Sequence, residues 1–187
     1  TRKVLGALGD GEHTYLEVLG LSRVGIGKKN KKSTDDLPWY EAFKSIKTLK
    51  ELNLSGNELG SSGARDLSAI FSNTSNWKAL TRLDLSVNDF SSEGAKVLAP
   101  TIEESLSSLK SLTHLNLAWN WFEPTGFDSI KDSFRRFQGL TYLNLCGNKF
   151  EDKHKTHLRN LYEKRICGDA NERSTLKTGD EVGELIL

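Results

Sequence analysis

The chain is 187 residues long, 36% hydrophobic and 27% charged, with cations and anions balanced to a net +1. Near-neutrality excludes a nucleic-acid binder driven by bulk charge and a disordered acidic tail, and no apolar run approaches the roughly 18 residues of a membrane span. Two cysteines, Cys146 and Cys167, are too few for a disulfide framework, so a reducing, cytoplasmic setting is expected.

In chain order, residues 1–15 carry a few apolar positions (Val4, Leu5, Leu8) before a Gly-Asp-Gly turn signal. They read as the end of a truncated helix or as a cap over the first coil. The Thr1 start and the lack of methionine favour an excised fragment of a larger chain. From Leu16 the sequence LEVLGLSRVGI introduces a pattern that returns four times more clearly: LKELNLSGNEL from Leu49, LTRLDLSVNDF from Leu80, LTHLNLAWNWF from Leu112 and LTYLNLCGNKF from Leu140. The starts step by 33, 31, 32 and 28 residues, the period of a solenoid whose units stack on one another.

Each unit reads as a strand, a turn and a helix, dividing the chain into 16–48, 49–79, 80–111, 112–139 and 140–163, with 164–187 as a cap or tail. In the first unit a basic run, Lys28–Lys32, precedes an expected helix from about Asp35 to Ile46, with Trp39, Phe43 and Ile46 on one face. That run reads as a solvated loop, with a nuclear-import signal or a contact for an acidic surface as the other readings. The next three units continue into GARDLSAIF, GAKVLAPTI and GFDSIKDSF. Their small or apolar residues (Ala64, Leu67, Phe71; Ala95, Leu98, Ile102; Phe127, Ile130, Phe134) fall at helical spacing, and Pro100 is expected to shorten or kink the second helix. The last helix is expected near Lys153–Glu163. His154 replaces the glycine there, and His154 and His157 read as the surface of a basic helix rather than as a metal site.

Side chains alternate along a strand, so leucines at the fourth and sixth places point inward while the third, fifth and seventh face solvent. The ninth-place asparagines (Asn57, Asn88, Asn120, Asn148) come where the chain leaves the strand, and their amides suit hydrogen bonding to turn backbone. The solvent-facing third column is Val18, Glu51, Arg82, His114 and Tyr142; the fifth includes Asp84. Past the strand, Val87, Trp119 and Trp121 flank the asparagines. Trp, Tyr and Arg dominate binding hot spots. The candidate contact set is therefore Trp119, Trp121, Tyr142, His114, Arg82, Val87, Asp84 and Glu51, centred on the fourth unit. The other reading of the two indoles is that they lie over neighbouring coils or a C-terminal cap. A Cys146–His114 catalytic pair is not supported by the spacing, and no cofactor or metal site is expected.

The form L-x-x-L-x-L-x-x-N-x-Φ followed by G-A-x-x-L, over about residues 16–162, resembles the leucine-rich repeat, in particular its ribonuclease-inhibitor-like subtype. The resemblance implies an α/β fold, a right-handed β–α superhelix of about five repeats with a parallel sheet on the concave face and helices on the convex one. It also implies a non-enzymatic module binding another protein, as a monomer or as part of a larger chain. An alternative is a regulator of a small GTPase, similar to the Ran GTPase-activating proteins; another is the recognition segment of a larger receptor or bacterial effector.

Overall fold

The structure is a computed structural model that describes residues 15–27, 43, 46–137, 139–167 and 184–186. Within it, the leucine pattern forms one parallel sheet of six short strands in chain order: β1 (Val18–Gly20), β2 (Glu51–Asn53), β3 (Arg82–Asp84), β4 (His114–Asn116), β5 (Tyr142–Asn144) and β6 (Glu184–Ile186). The repeat sets the register. Third-place residues pair as Val18↔Glu51, Glu51↔Arg82, Arg82↔His114 and His114↔Tyr142, and fourth-place leucines pair beside them. Near the C-terminus, β6 adds to β5 through Tyr142↔Glu184 and Leu143↔Leu185. Residues 1–14, the Lys28–Lys32 run, Trp39, most of the expected 35–46 helix and residues 168–183 lie outside the described residues.

Behind the sheet run α1 (Gly60–Phe71), α2 (Ser91–Pro100), α3 (Pro124–Ile130) and α4 (Asp152–Cys167). One coil cannot hide its own leucines; its neighbours do so. Leu52, Leu83, Leu115 and Leu143 are buried from the strands, and Ala64, Leu67, Phe71, Ala95, Leu98, Ile102, Phe127, Ile130 and Phe134 from the helical side. Each fully buried side chain of this size contributes roughly 1.5–3 kcal/mol. The result is an α/β horseshoe. Pro100 ends α2, having no N–H to donate, and the chain passes through a π turn (Thr101–Ser105) and a 3-10 turn (Leu106–Ser108).

The asparagines bind the coils together at the strand exits. Asn88 Oδ1 accepts the Asn57 N–H at 2.9 Å, while its Nδ2 donates to the carbonyls of Leu54 (2.9 Å) and Leu85 (3.0 Å). Asn120 repeats the arrangement one coil on, accepting from Asn88 N and donating to Leu85 and Leu117. Asn57, Asn88 and Asn120 are fully buried, so each amide satisfies main-chain groups that have no access to water.

The seventh place is mixed: Ser22 is exposed and Ser55 and Cys146 are half-buried. Ser86 and Ala118 are buried rather than solvent-facing. The strands cover only places three to five, so the alternation stops there. Beyond it Asn88 Nδ2 donates to Ser86 O at 3.2 Å and Asn120 Nδ2 to Ala118 O at 3.3 Å.

On the outer face, Lys131 donates to Asp128 at 2.8 Å and Lys153 lies 2.7 Å from Glu151. The Lys131 hydrogen bond holds the Asp128 carboxyl below its ordinary value near 3.8, and the Lys153 hydrogen bond holds Glu151 below 4.5. A lowered folded-state pKa gives stability that is present above the ordinary value and lost as pH falls through the lowered one. Melting temperature is therefore expected to stay level from neutral pH to about 5 and to fall below about 4. Asp128→Asn should remove a small part of that acid limb, the pair being exposed. A set of thermal melts against pH for both proteins checks this; identical acid limbs would show that the pair contributes nothing.

Candidate partner-binding face

Five strands in register bring the third-place residues side by side. Val18, Glu51, Arg82, His114 and Tyr142 line a concave trough of about 620 Å³ together with Gly20, Asn53, Asp84 and Asn116. The trough changes character along the stack. At β2–β3, Arg82 Nε stands 3.6 Å from Glu51 Oε1, an exposed ion pair of small energetic worth. At β4–β5 the rings of His114 and Tyr142 stack with centroids 5.3 Å apart, and His114 Nδ1 lies 2.8 Å from Thr113 Oγ1. A charged stretch thus adjoins an aromatic one.

The fifth column has a local duty that sequence reasoning missed. Asp84 Oδ1 accepts both the N–H (2.9 Å) and the hydroxyl (2.7 Å) of Ser86. Asn53, Asn116 and Asn144 accept the N–H two residues on in the same way. These short side chains cap the strand ends. Asp84 lines the trough, but one of its oxygens already serves the turn.

Val87, Trp119 and Trp121 stand apart from the trough, on the rim beyond the strand ends. All three remain exposed, at 44%, 58% and 55%. All three also have left-handed backbone, with φ of 56°, 56° and 59°. This region costs an L-residue roughly 1–2 kcal/mol, and it is least natural for a β-branched or bulky side chain. The same eighth place holds Gly56 and Gly147 in the second and fifth units, at φ 68° and 69°, and the tenth place holds Gly25 in the first. Glycine is the unstrained solution, and the polar Arg23, Glu58 and Asp89 share the left-handed backbone at equivalent places, at φ 57°, 55° and 56°. The fingerprint was available in the sequence as glycine alternating with tryptophan or valine at one place of the repeat, but the sign of φ was not.

The indoles are partly supported. Trp119 lies across the next coil, where a Cβ on Gly147 would come within 2.3 Å of its ring. Lys149 Nζ sits 5.0 Å from the Trp121 ring centroid and 3.1 Å from Glu123 Oε1. Each indole touches a neighbouring coil, and each keeps more than half its surface in solvent. Trp77 is the opposite case, buried, with its indole N–H bonded to Ile70 O at 3.0 Å and its ring 4.9 Å from that of Phe71.

His154 is a correction. It is not on the surface but 5% exposed, with its ring 4.6 Å from Phe127 and Nδ1 accepting the Glu151 N–H. It occupies the place of Gly63, Gly94 and Gly126, the point at which each helix approaches the preceding coil, so a side chain there is driven inward. His157 sets its ring at 90° to Phe127, and its Nε2 is buried without a hydrogen-bond partner. The two histidines pack α4 on α3. Cys146 is a half-buried free thiol.

Comparison with known proteins agrees with the geometry. Leucine Rich repeat profiles match residues 45–68, 79–99 and 108–130, and a Leucine Rich Repeat profile matches 139–161. No curated protein matches the chain. Among 38 matching chains of solved structure is Leiomodin-1 Actin-Binding Site 2 (ABS2), with a TM-score of 0.63 and 14% identity, over 91% of this chain and 92% of that one. At that identity the likeness is one of fold. The profile matches place leucine-rich repeats within residues 45–161, in the part of the chain that forms the horseshoe.

Proposed function

We propose that this chain is a protein-recognition module whose rim, at Val87, Trp119 and Trp121, supplies the anchoring contacts, with the trough of Glu51, Arg82, Asp84, His114 and Tyr142 beside it. One observation carries the reading: three bulky apolar side chains stand in solvent on left-handed backbone, where equivalent places of other units hold glycine (Gly25, Gly56, Gly147) or polar residues (Arg23, Glu58, Asp89). Such residues work against folding economy, and large exposed aromatics are what binding hot spots are made of. The repeat lengths and the glycines in the first turns of three helices (Gly63, Gly94, Gly126) also support the ribonuclease-inhibitor-like subtype.

Capture of binding proteins on immobilised native chain, set against a Trp119→Gly/Trp121→Gly variant, tests the reading. Monomeric and filamentous actin belong on the panel of candidates, because the structural neighbour is named for an actin-binding site. A second variant, Glu51→Ala/Arg82→Ala, reports on the trough. It is expected to weaken capture by no more than about tenfold, since that exposed pair is worth little. A larger loss from the trough variant than from the rim variant would move the anchoring contacts into the trough.

A further inference from the structure

Independently of the rim, the opposite edge of the sheet, where the chain enters each strand, carries a ladder of lysines. Lys47, Lys78 and Lys110 stand four residues before Glu51, Arg82 and His114, which pair with one another in register. They therefore occupy the same point on three successive coils. Neighbouring strands lie about 4.8 Å apart, so the three positions fall within about one Debye length at physiological salt. All three side chains are exposed.

Some cations elsewhere on the chain find an acid. Lys50 lies 2.7 Å from Glu17, Arg136 2.7 Å from Glu103 and Lys149 3.1 Å from Glu123. Among the described residues, Lys47, Lys78 and Lys110 have no ion pair. Like charges stacked in this way repel one another unless an anion lies between them.

A cleft does lie between two of them. It measures about 350 Å³ and is lined by Thr74, Lys78, Ser108, Leu109, Lys110 and Ser111, with no acidic residue. Ser111 Oγ donates to Lys78 O at 2.6 Å and to Leu80 O at 2.9 Å, fixing the main chain of Lys78 against the coil that carries Lys110. We infer that this cleft binds a soluble small molecule bearing at least two phosphoryl groups, one held between Lys78 and Lys110 and the next reaching Lys47.

The chemistry favours this ligand over others. The cleft has compact ammonium charges and no arginine fork, which suits a tetrahedral oxyanion better than a planar carboxylate. Its size is that of a small-ligand site. Leu109, the one apolar residue lining it, is only 4% exposed, and nearby Trp77 is 1% exposed. The cleft thus offers neither an apolar wedge for a membrane nor an aromatic anchor for a protein.

Calorimetric titration of tripolyphosphate into the full chain at low salt tests the site. One saturable site is expected, weakened at least about tenfold in Lys78→Ala/Lys110→Ala, less in Lys47→Ala, and largely retained in Lys78→Arg/Lys110→Arg. All three lysines are exposed, so these variants should fold, and their melting temperatures without ligand should not drop. Absent binding, or equal binding by native and double-alanine proteins, would overturn the inference. Two further arms use a phosphoserine peptide and phosphatidylcholine vesicles containing phosphatidylinositol bisphosphate. Binding to either of these without binding to tripolyphosphate would overturn it in favour of a protein or a membrane. Neither result bears on the rim.

Discussion

Asn88→Ala is expected to lower the stability of the solenoid by about 3–5 kcal/mol, more than most single surface or core changes would. The side chain is fully buried and serves two coils at once. Truncation orphans the Asn57 N–H and removes one of two amide donors from each of the Leu54 and Leu85 carbonyls, which keep Asn57 Nδ2 and Asn120 Nδ2. Each buried group left unmade costs about 1–3 kcal/mol, and no water reaches the site to replace the amide. Asn88→Asp should be at least as damaging, because a carboxylate presents only acceptors to those carbonyls. Asn148→Ala, at a half-buried place, should cost clearly less, about 1–2 kcal/mol. Urea unfolding of the three variants gives the ranking. Equal losses at positions 88 and 148 would mean that burial is not what makes the ladder strong.

The two exposed tryptophans should separate folding from binding. Trp77→Ala removes a packed indole together with its hydrogen bond to Ile70 and is expected to cost about 3–5 kcal/mol. Trp121→Gly should cost no more than about 1.5 kcal/mol. The loss of partial packing on Lys149 is offset by relief of the left-handed strain. Trp119→Gly should behave similarly, losing its contact with Gly147 but gaining a backbone suited to φ 56°. For partner capture the order reverses. If each indole is a hot spot worth about 2 kcal/mol, the double glycine variant weakens binding roughly 100- to 1,000-fold or more.

Much of the horseshoe was readable from residues alone. A leucine column of period near 32 fixes the register, so Leu52, Leu83, Leu115 and Leu143 stack as the pattern requires. The asparagines were readable for the same reason, since only an amide offers both donors and an acceptor at that point. The misreadings are local. Ser86 and Ala118 are buried while Ser22, at the same place, is exposed, a difference between coils that the leucine pattern does not carry. His154 looked exposed because its neighbours Lys153 and Lys155 are basic, whereas its equivalence to Gly63, Gly94 and Gly126 marks a buried approach. At the rim, the types of residues 119 and 121 were visible but their backbone was not. Comparison with Gly56 and Gly147 shows the strain at Trp119, and comparison with Gly25 shows it at Trp121.

Whether those indoles serve recognition is measured most directly by the amount of bound protein recovered on the native chain and on the Trp119→Gly/Trp121→Gly variant, with both shown to be folded. Recovery on the folded variant should fall by about 100-fold or more. Undiminished recovery on the folded variant would contradict a recognition role for the rim.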